Sequence, residues 1–168
     1  AGWQQALSNA PVSAAERERL PYQSGLNLAL IRQGQPEVMD EWLRKIQNGP
    51  GHPDGLILDP ALLIEMTSQL MAGGDKTNAQ STAKLALAEL EKNVKNNPQT
   101  DLLDEKYLYS FDSLSEHFLS LDLVQETAQT TLDILKFVPS HVAALRTLSL
   151  AQSRLHQPEA ALESIKIA

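Results

Sequence analysis

The sequence predicts an all-α chain in which antiparallel helix pairs stack side by side, and three observations carry that expectation. The stretch from Leu108 to Ala168 repeats at a step of 34 residues: Phe111 falls on Leu145, Leu114 on Leu148, Leu121 on Leu155, Thr127 on Ala161 and Ile134 on Ala168. Such a period marks units that cannot bury their apolar faces alone and stack into a solenoid. Leu and Ala dominate, aromatic residues make up only 5% of the chain, and long β-branched runs are missing, a composition that favours helices over strands. Finally, the same helix-to-helix turn, Gly34-Gln35-Pro36-Glu37, recurs as His156-Gln157-Pro158-Glu159.

At 168 residues the chain is long enough for one body with a sizeable core. It contains no cysteine, which excludes disulfides, thiolate zinc sites and cysteine nucleophiles but assigns no compartment. A net charge of -7 argues against a nucleic-acid partner, because backbone affinity comes from clustered Lys and Arg. Apolar runs such as Leu28-Ala29-Leu30-Ile31 fall far short of the roughly 18 to 20 residues needed to span a bilayer, so no membrane insertion is expected. The start at Ala1-Gly2-Trp3 carries no basic region or apolar core of a signal peptide, and the segment reads as part of a longer protein.

Taken in order, Trp3 to Asn9 reads as the end of a helix closed by Pro11. Ser13-Ala14-Ala15-Glu16 matches a capping box that opens the next helix, which Pro21 interrupts before the apolar face at Leu26, Leu30 and Ile31. The following helix presents Val38, Met39, Trp42, Leu43 and Ile46, and a Gly/Pro-rich loop from Asn48 to Gly55 ends it. Asp59-Pro60 is a strong start, an Asp cap followed by Pro at the first helical position. Leu63, Met66 and Leu70 face inward until Gly73-Gly74-Asp75 turns the chain. A long helix from Thr77 to about Asn96 then runs on Ala79, Ala83, Ala86, Leu87, Leu90 and Val94. Asn96 to Asp101 closes it, and a short helical segment from Leu102 to Tyr107 leads into the first regular unit. The turn inside that unit, Leu121-Asp122-Leu123, lacks glycine, and the junction Val138-Pro139-Ser140-His141 combines a helix stop with a Ser cap. The final helix, Glu159 to Ala168, is expected to leave an apolar edge.

In the last unit Leu145, Leu148, Ser149 and Gln152 precede Ala161, Ile165 and Ala168; in the unit before, Phe111, Leu114, Ser115 and Phe118 precede Thr127, Thr131, Ile134 and Pro139. In this spacing the chain resembles the tetratricopeptide repeat (TPR) proteins, whose pattern is W-x2-L-G-x2-Y in a first helix, then A-x3-F and a closing Pro in a second. Taking Gly34, Gly74, Asp122 and His156 as equivalent turns extends the register upstream at steps of 40, 48 and 34, the excesses falling at the Asn48 to Gly55 loop and after Thr77. The resemblance implies a right-handed α-solenoid, one domain over residues 1–168 with about three and a half units plus a leading half-helix. The family's large Trp and Tyr and its helix-packing Gly are mostly replaced here, so other helical repeats and a non-repeat bundle stay as alternatives.

The resemblance further implies a non-enzymatic scaffold that binds a peptide, helix or partner protein in a concave groove built by the first helices. Groove positions are Arg32, with Ser24, Leu28 and Ile31; Tyr109, Asp112, Glu116 and Ser120; and Arg146, Leu150 and Arg154, with Ala143 and Ser153. The family's binders of terminal carboxylates hold them with Lys, Asn and Arg at such positions, and Asp112 and Glu116 replace these here, so that specificity is not expected. On the bland reading these charges are a solvated face crossed by weak ion pairs. An acid-base role for Asp112 and Glu116 would need distinct, partly dry environments, of which the sequence gives no sign. His52, His117, His141 and His156 share no metal-ligand spacing and are expected at surfaces or turns, and no phosphate loop or nucleophile elbow occurs. No cofactor or metal is expected. The alternative function is an accessory or oligomerisation domain of a larger enzyme or cell-envelope assembly, and a homodimer through the terminal helices would fit the apolar edge.

Overall fold

The computed structural model describes residues 29–31, 33, 36–47, 59–96 and 105–168. Every regular element among them is a helix: α1 (Pro36–Gln47), α2 (Pro60–Ala72), α3 (Lys76–Asn96), α4 (Glu105–Ser120), α5 (Val124–Phe137), α6 (Val142–Arg154) and α7 (Pro158–Ile167), with a further helical turn at 29–31. The expected features of residues 1–28 and of the loop from Asn48 to Gly55 lie outside the described residues, as do Gly34 and the side chains of Trp42 and Ile46.

Helices α2 to α7 form three antiparallel pairs, α2 with α3, α4 with α5 and α6 with α7. Each first helix also touches the next first helix, α2 on α4 and α4 on α6, while each second helix packs on the first helix that follows it. The three turns within pairs are closed identically. Asp75 donates its N–H to the Leu70 carbonyl (2.9 Å), Leu123 to Phe118 (2.8 Å) and Gln157 to Gln152 (2.9 Å). One residue earlier, Gly74, Asp122 and His156 all sit in the left-handed region, with φ of 79°, 61° and 59°. This is the Schellman closure that satisfies the last carbonyls of a helix. The turn without glycine is therefore the same turn, with Asp122 taking the strained position.

Burial follows the same register. Leu63, Met66 and Leu70 of α2 meet Ala79, Ala83 and Ala86 of α3, all 7% exposed or less, and Phe111, Leu114 and Phe118 of α4 repeat the pattern with Ile134 of α5. Alanines on α3 leave room for a close approach. Thr127 and Thr131 take the small positions on α5 and return their hydroxyls to the carbonyls of Leu123 and Thr127 four residues earlier (2.9 Å each). Val38, Met39 and Leu43 of α1 pack against this core, to which Ile31 belongs at 1% exposure. In the last pair the register position after Ala161, Ile165, is 46% exposed, and Leu162 and Ile167 are open beside it.

Two local expectations change. Asp59 caps α2 as read from the sequence, its Oδ1 accepting from the Ala61 N–H at 2.9 Å ahead of Pro60. The cap of α6, by contrast, is His141 and not Ser140: His141 has extended backbone and its Nδ1 accepts from the Ala144 N–H at 3.3 Å. The segment leading into the first regular unit is not a separate helix from Glu105 onward, since α4 runs unbroken to Ser120.

Candidate functional site

The row of first helices carries the residues that the sequence marks as a groove. Tyr109 on α4 is 75% exposed and Leu150 on α6 is 56% exposed, with Glu116 and Arg146 exposed on the same two helices. These side chains do not contribute to the buried core. Ile31 does, and so leaves the groove set; Arg32 lies outside the described residues.

Asp112 and Arg154 have partners that spacing along the chain does not reveal. Asp112 is half-buried and its Oδ2 lies 3.0 Å from His141 Nε2. Because His141 Nδ1 accepts from Ala144, the proton sits on Nε2, and the imidazole donates to the carboxylate while it caps α6. Burial raises the Asp112 pKa above the ordinary aspartate value; His141 opposes that rise and Glu116, one turn on, adds to it. The residue thus joins α4 to the start of α6.

Arg154 donates from Nη1 to the Leu119 carbonyl at 2.8 Å and reaches Asp122 Oδ1 at 3.4 Å, so its guanidinium lies on the α4–α5 turn. Asp122 also takes Lys76 Nζ at 2.8 Å, and this hydrogen bond, followed by the lysine charge, holds its carboxyl below the usual aspartate range. Lys76, Asp122 and Arg154 tie the three successive turns into one edge. Gln80 adds a bond to the Leu121 carbonyl at 3.0 Å.

His117 departs from the surface position expected of it. Its Nδ1 donates to the Ser113 carbonyl one turn earlier, which leaves Nε2 to accept from Ser68 Oγ of α2 at 2.7 Å. A hydroxyl, a base and an orienting acceptor are the parts of an activated nucleophile. Ser68 lies inside α2, however, where its backbone N–H is used within the helix and its hydroxyl also lies 3.3 Å from the Ile64 carbonyl one turn earlier, the usual place of a serine on a helix. The bond serves to link α2 to α4. No group of three or more His, Asp or Glu side chains able to hold a metal occurs among the described residues. No helix among them is long and apolar enough to cross a membrane.

The chain matches no protein-family model, no curated protein and no solved structure.

Proposed function

We propose that this chain is a TPR-like, right-handed helical-repeat scaffold without catalytic activity, which holds a peptide or helix of a partner protein along the row formed by α2, α4 and α6. The observation that supports the reading is the repeated pair with its identical turn, which sets successive first helices against each other and leaves Tyr109 and Leu150 exposed along the row. Exposed aromatic and aliphatic side chains beside an Arg and a Glu are the elements of a binding hot spot, in which a few anchors carry most of the energy. Asp112 and Arg154 serve the stack, and the contact residues are Tyr109, Glu116, Arg146 and Leu150.

Panning a random peptide display library against the chain tests this. The selected peptides should lose at least about tenfold in affinity on Tyr109→Ala with Leu150→Ala, consistent with hot-spot losses above about 1 kcal/mol per anchor. Unchanged binding in that double variant, or failure to enrich any peptide, overturns the reading. A second mode, self-association through α7, is favoured by the exposure of Leu162, Ile165 and Ile167; light scattering that returns only monomer rejects it.

A further inference from the structure

In the last pair, α6 with α7, the positions that each earlier pair gives to its neighbour are open. Six and nine residues past the left-handed turn residue, α3 carries Gln80 and Ala83, α5 carries Ala128 and Thr131, and α7 carries Leu162 and Ile165. Both α3 and α5 pack on the first helix that follows, and this face meets it: Gln80 bonds the Leu121 carbonyl just past the end of α4, and Ala83 and Thr131 are fully buried. On α7 the two positions are 54% and 46% exposed, although larger apolar side chains fill them.

Charges follow the same register. Ten residues past its turn, Lys84 of α3 bonds Glu126 of α5, which stands four past the next turn, at 2.7 Å. One step on, those two positions are Leu132 of α5 and Ala160 of α7, apolar with apolar. The next in the series is Lys166 of α7, exposed and in no ion pair among the described residues. On α6, Arg146 holds the register of Asp112, the residue that meets His141 at the start of the following first helix, and Arg146 is likewise exposed without an ion pair. Glu159 and Glu163 belong to the outer side, since their counterparts Thr77, Ser81, Gln125 and Gln129 are exposed even where the neighbouring pair is in place. The open edge is therefore an apolar strip, Leu162 and Ile165, with one unpaired cation on each helix.

We propose that the α6–α7 edge is a docking site for a helical hairpin of a partner protein. The first helix of that hairpin lies over Leu162 and Ile165 with an acidic start beside Arg146. Its second helix sets a carboxylate against Lys166, as Glu126 is set against Lys84. The surface is the one that self-association through α7 would use, but a second copy stacked in register brings Val38, four residues past Gly34, to Lys166 and leaves the cation unpaired. The proposal rests on the register of the pairs and is independent of the first-helix row.

The chain's own segment 101–137, which contains α4 and α5 with Glu126 in place, has the chemistry of such a hairpin and serves as the probe. Added as a free peptide to the full chain with Leu and Ile methyl groups isotopically labelled, it should give saturable shifts centred on Leu162 and Ile165. Lys166→Glu should weaken it at least about threefold, within the range of an exposed ion pair, and a Glu126→Lys version of the peptide should restore binding to that variant. Fused directly after Ala168, which keeps the 34-residue step, the same segment should slow amide exchange in α7. Unchanged exchange in α7 of the fusion, which does not depend on the free peptide folding, overturns the proposal. So do equal affinities of the parent and Lys166→Glu chains, or shifts centred on another surface. Shifts at Leu162 and Ile165 that grow with the chain's own concentration in the absence of the probe would assign the edge to a second copy and overturn it as well.

Discussion

Single residues in the turns show how much backbone geometry this fold demands. The left-handed position is taken by Gly74 in one turn and by Asp122 and His156 in the others. A non-glycine residue there costs about 1 to 2 kcal/mol, partly offset because glycine loses about 0.5 to 1 kcal/mol more backbone entropy on folding. His156 is exposed and none of the hydrogen bonds or ion pairs of the turn uses its ring. His156→Gly is therefore expected to stabilise the chain by about 0.5 to 1 kcal/mol, read from urea midpoints at constant slope. Asp122→Gly should gain less or lose, because the carboxylate that bonds Lys76 and Arg154 goes with it. A His variant less stable than the parent would show that the ring has a role the turn geometry does not require. The same residues mark the limit of sequence reading. The equivalence of Gly74, Asp122 and His156 follows from periodicity, but that Arg154 leaves the groove for Asp122 does not, since these two lie on different helix pairs.

At the scale of the helices, one register position separates the last pair from those before it. Thr82 on α3, Thr130 on α5 and Ser164 on α7 each stand eight residues past the left-handed turn residue. Ser164 donates to Gln152 Oε1 at 2.8 Å across its pair, whereas Leu70 and Phe118 occupy the place of Gln152 upstream. The hydroxyls of Thr82 and Thr130 are consequently buried with no partner. A buried unpaired hydroxyl costs about 1 to 3 kcal/mol, and valine keeps the shape without it. Thr130→Val should stabilise the chain by about 1 kcal/mol. Thr127→Val, which removes a bonded hydroxyl, should be neutral or cost about 0.5 to 1 kcal/mol. Urea unfolding of the two variants side by side decides the matter, and destabilisation of both by the same amount would mean that the Thr130 hydroxyl has a partner in solution.

The whole molecule is a chain of nearest-neighbour contacts, in which α4 is shared: it packs on α2, α3, α5 and α6. Phe118, fully buried on α4, is the largest side chain at that junction. Its truncation to alanine is expected to cost about 3 to 5 kcal/mol. Because each pair is supported through its neighbours, Phe118→Ala should speed amide hydrogen exchange in the flanking pairs as well as in α4 and α5. Leu148→Ala, in the last pair, should act mainly on α6 and α7. Exchange that rises only in α4 and α5 for Phe118→Ala would show that the pairs open independently.

What the sequence determined by itself, among the described residues, is the pairing of the helices from α2 to α7 and the register of their turns and buried positions at steps of 48 and 34. Those depend on local rules: proline and aspartate at starts, a tight closure at ends, and apolar residues at helical spacing within a few turns of one another. Only the tertiary structure decided how the polar side chains are used. Ser68 meets His117 across 49 residues and Arg154 meets Leu119 across 35, and Asp112 finds His141 on the next pair. Nothing near any of these residues in the chain announces its partner, because the pairing depends on how far one helix slides and rotates on the next, which the packing of the whole core sets.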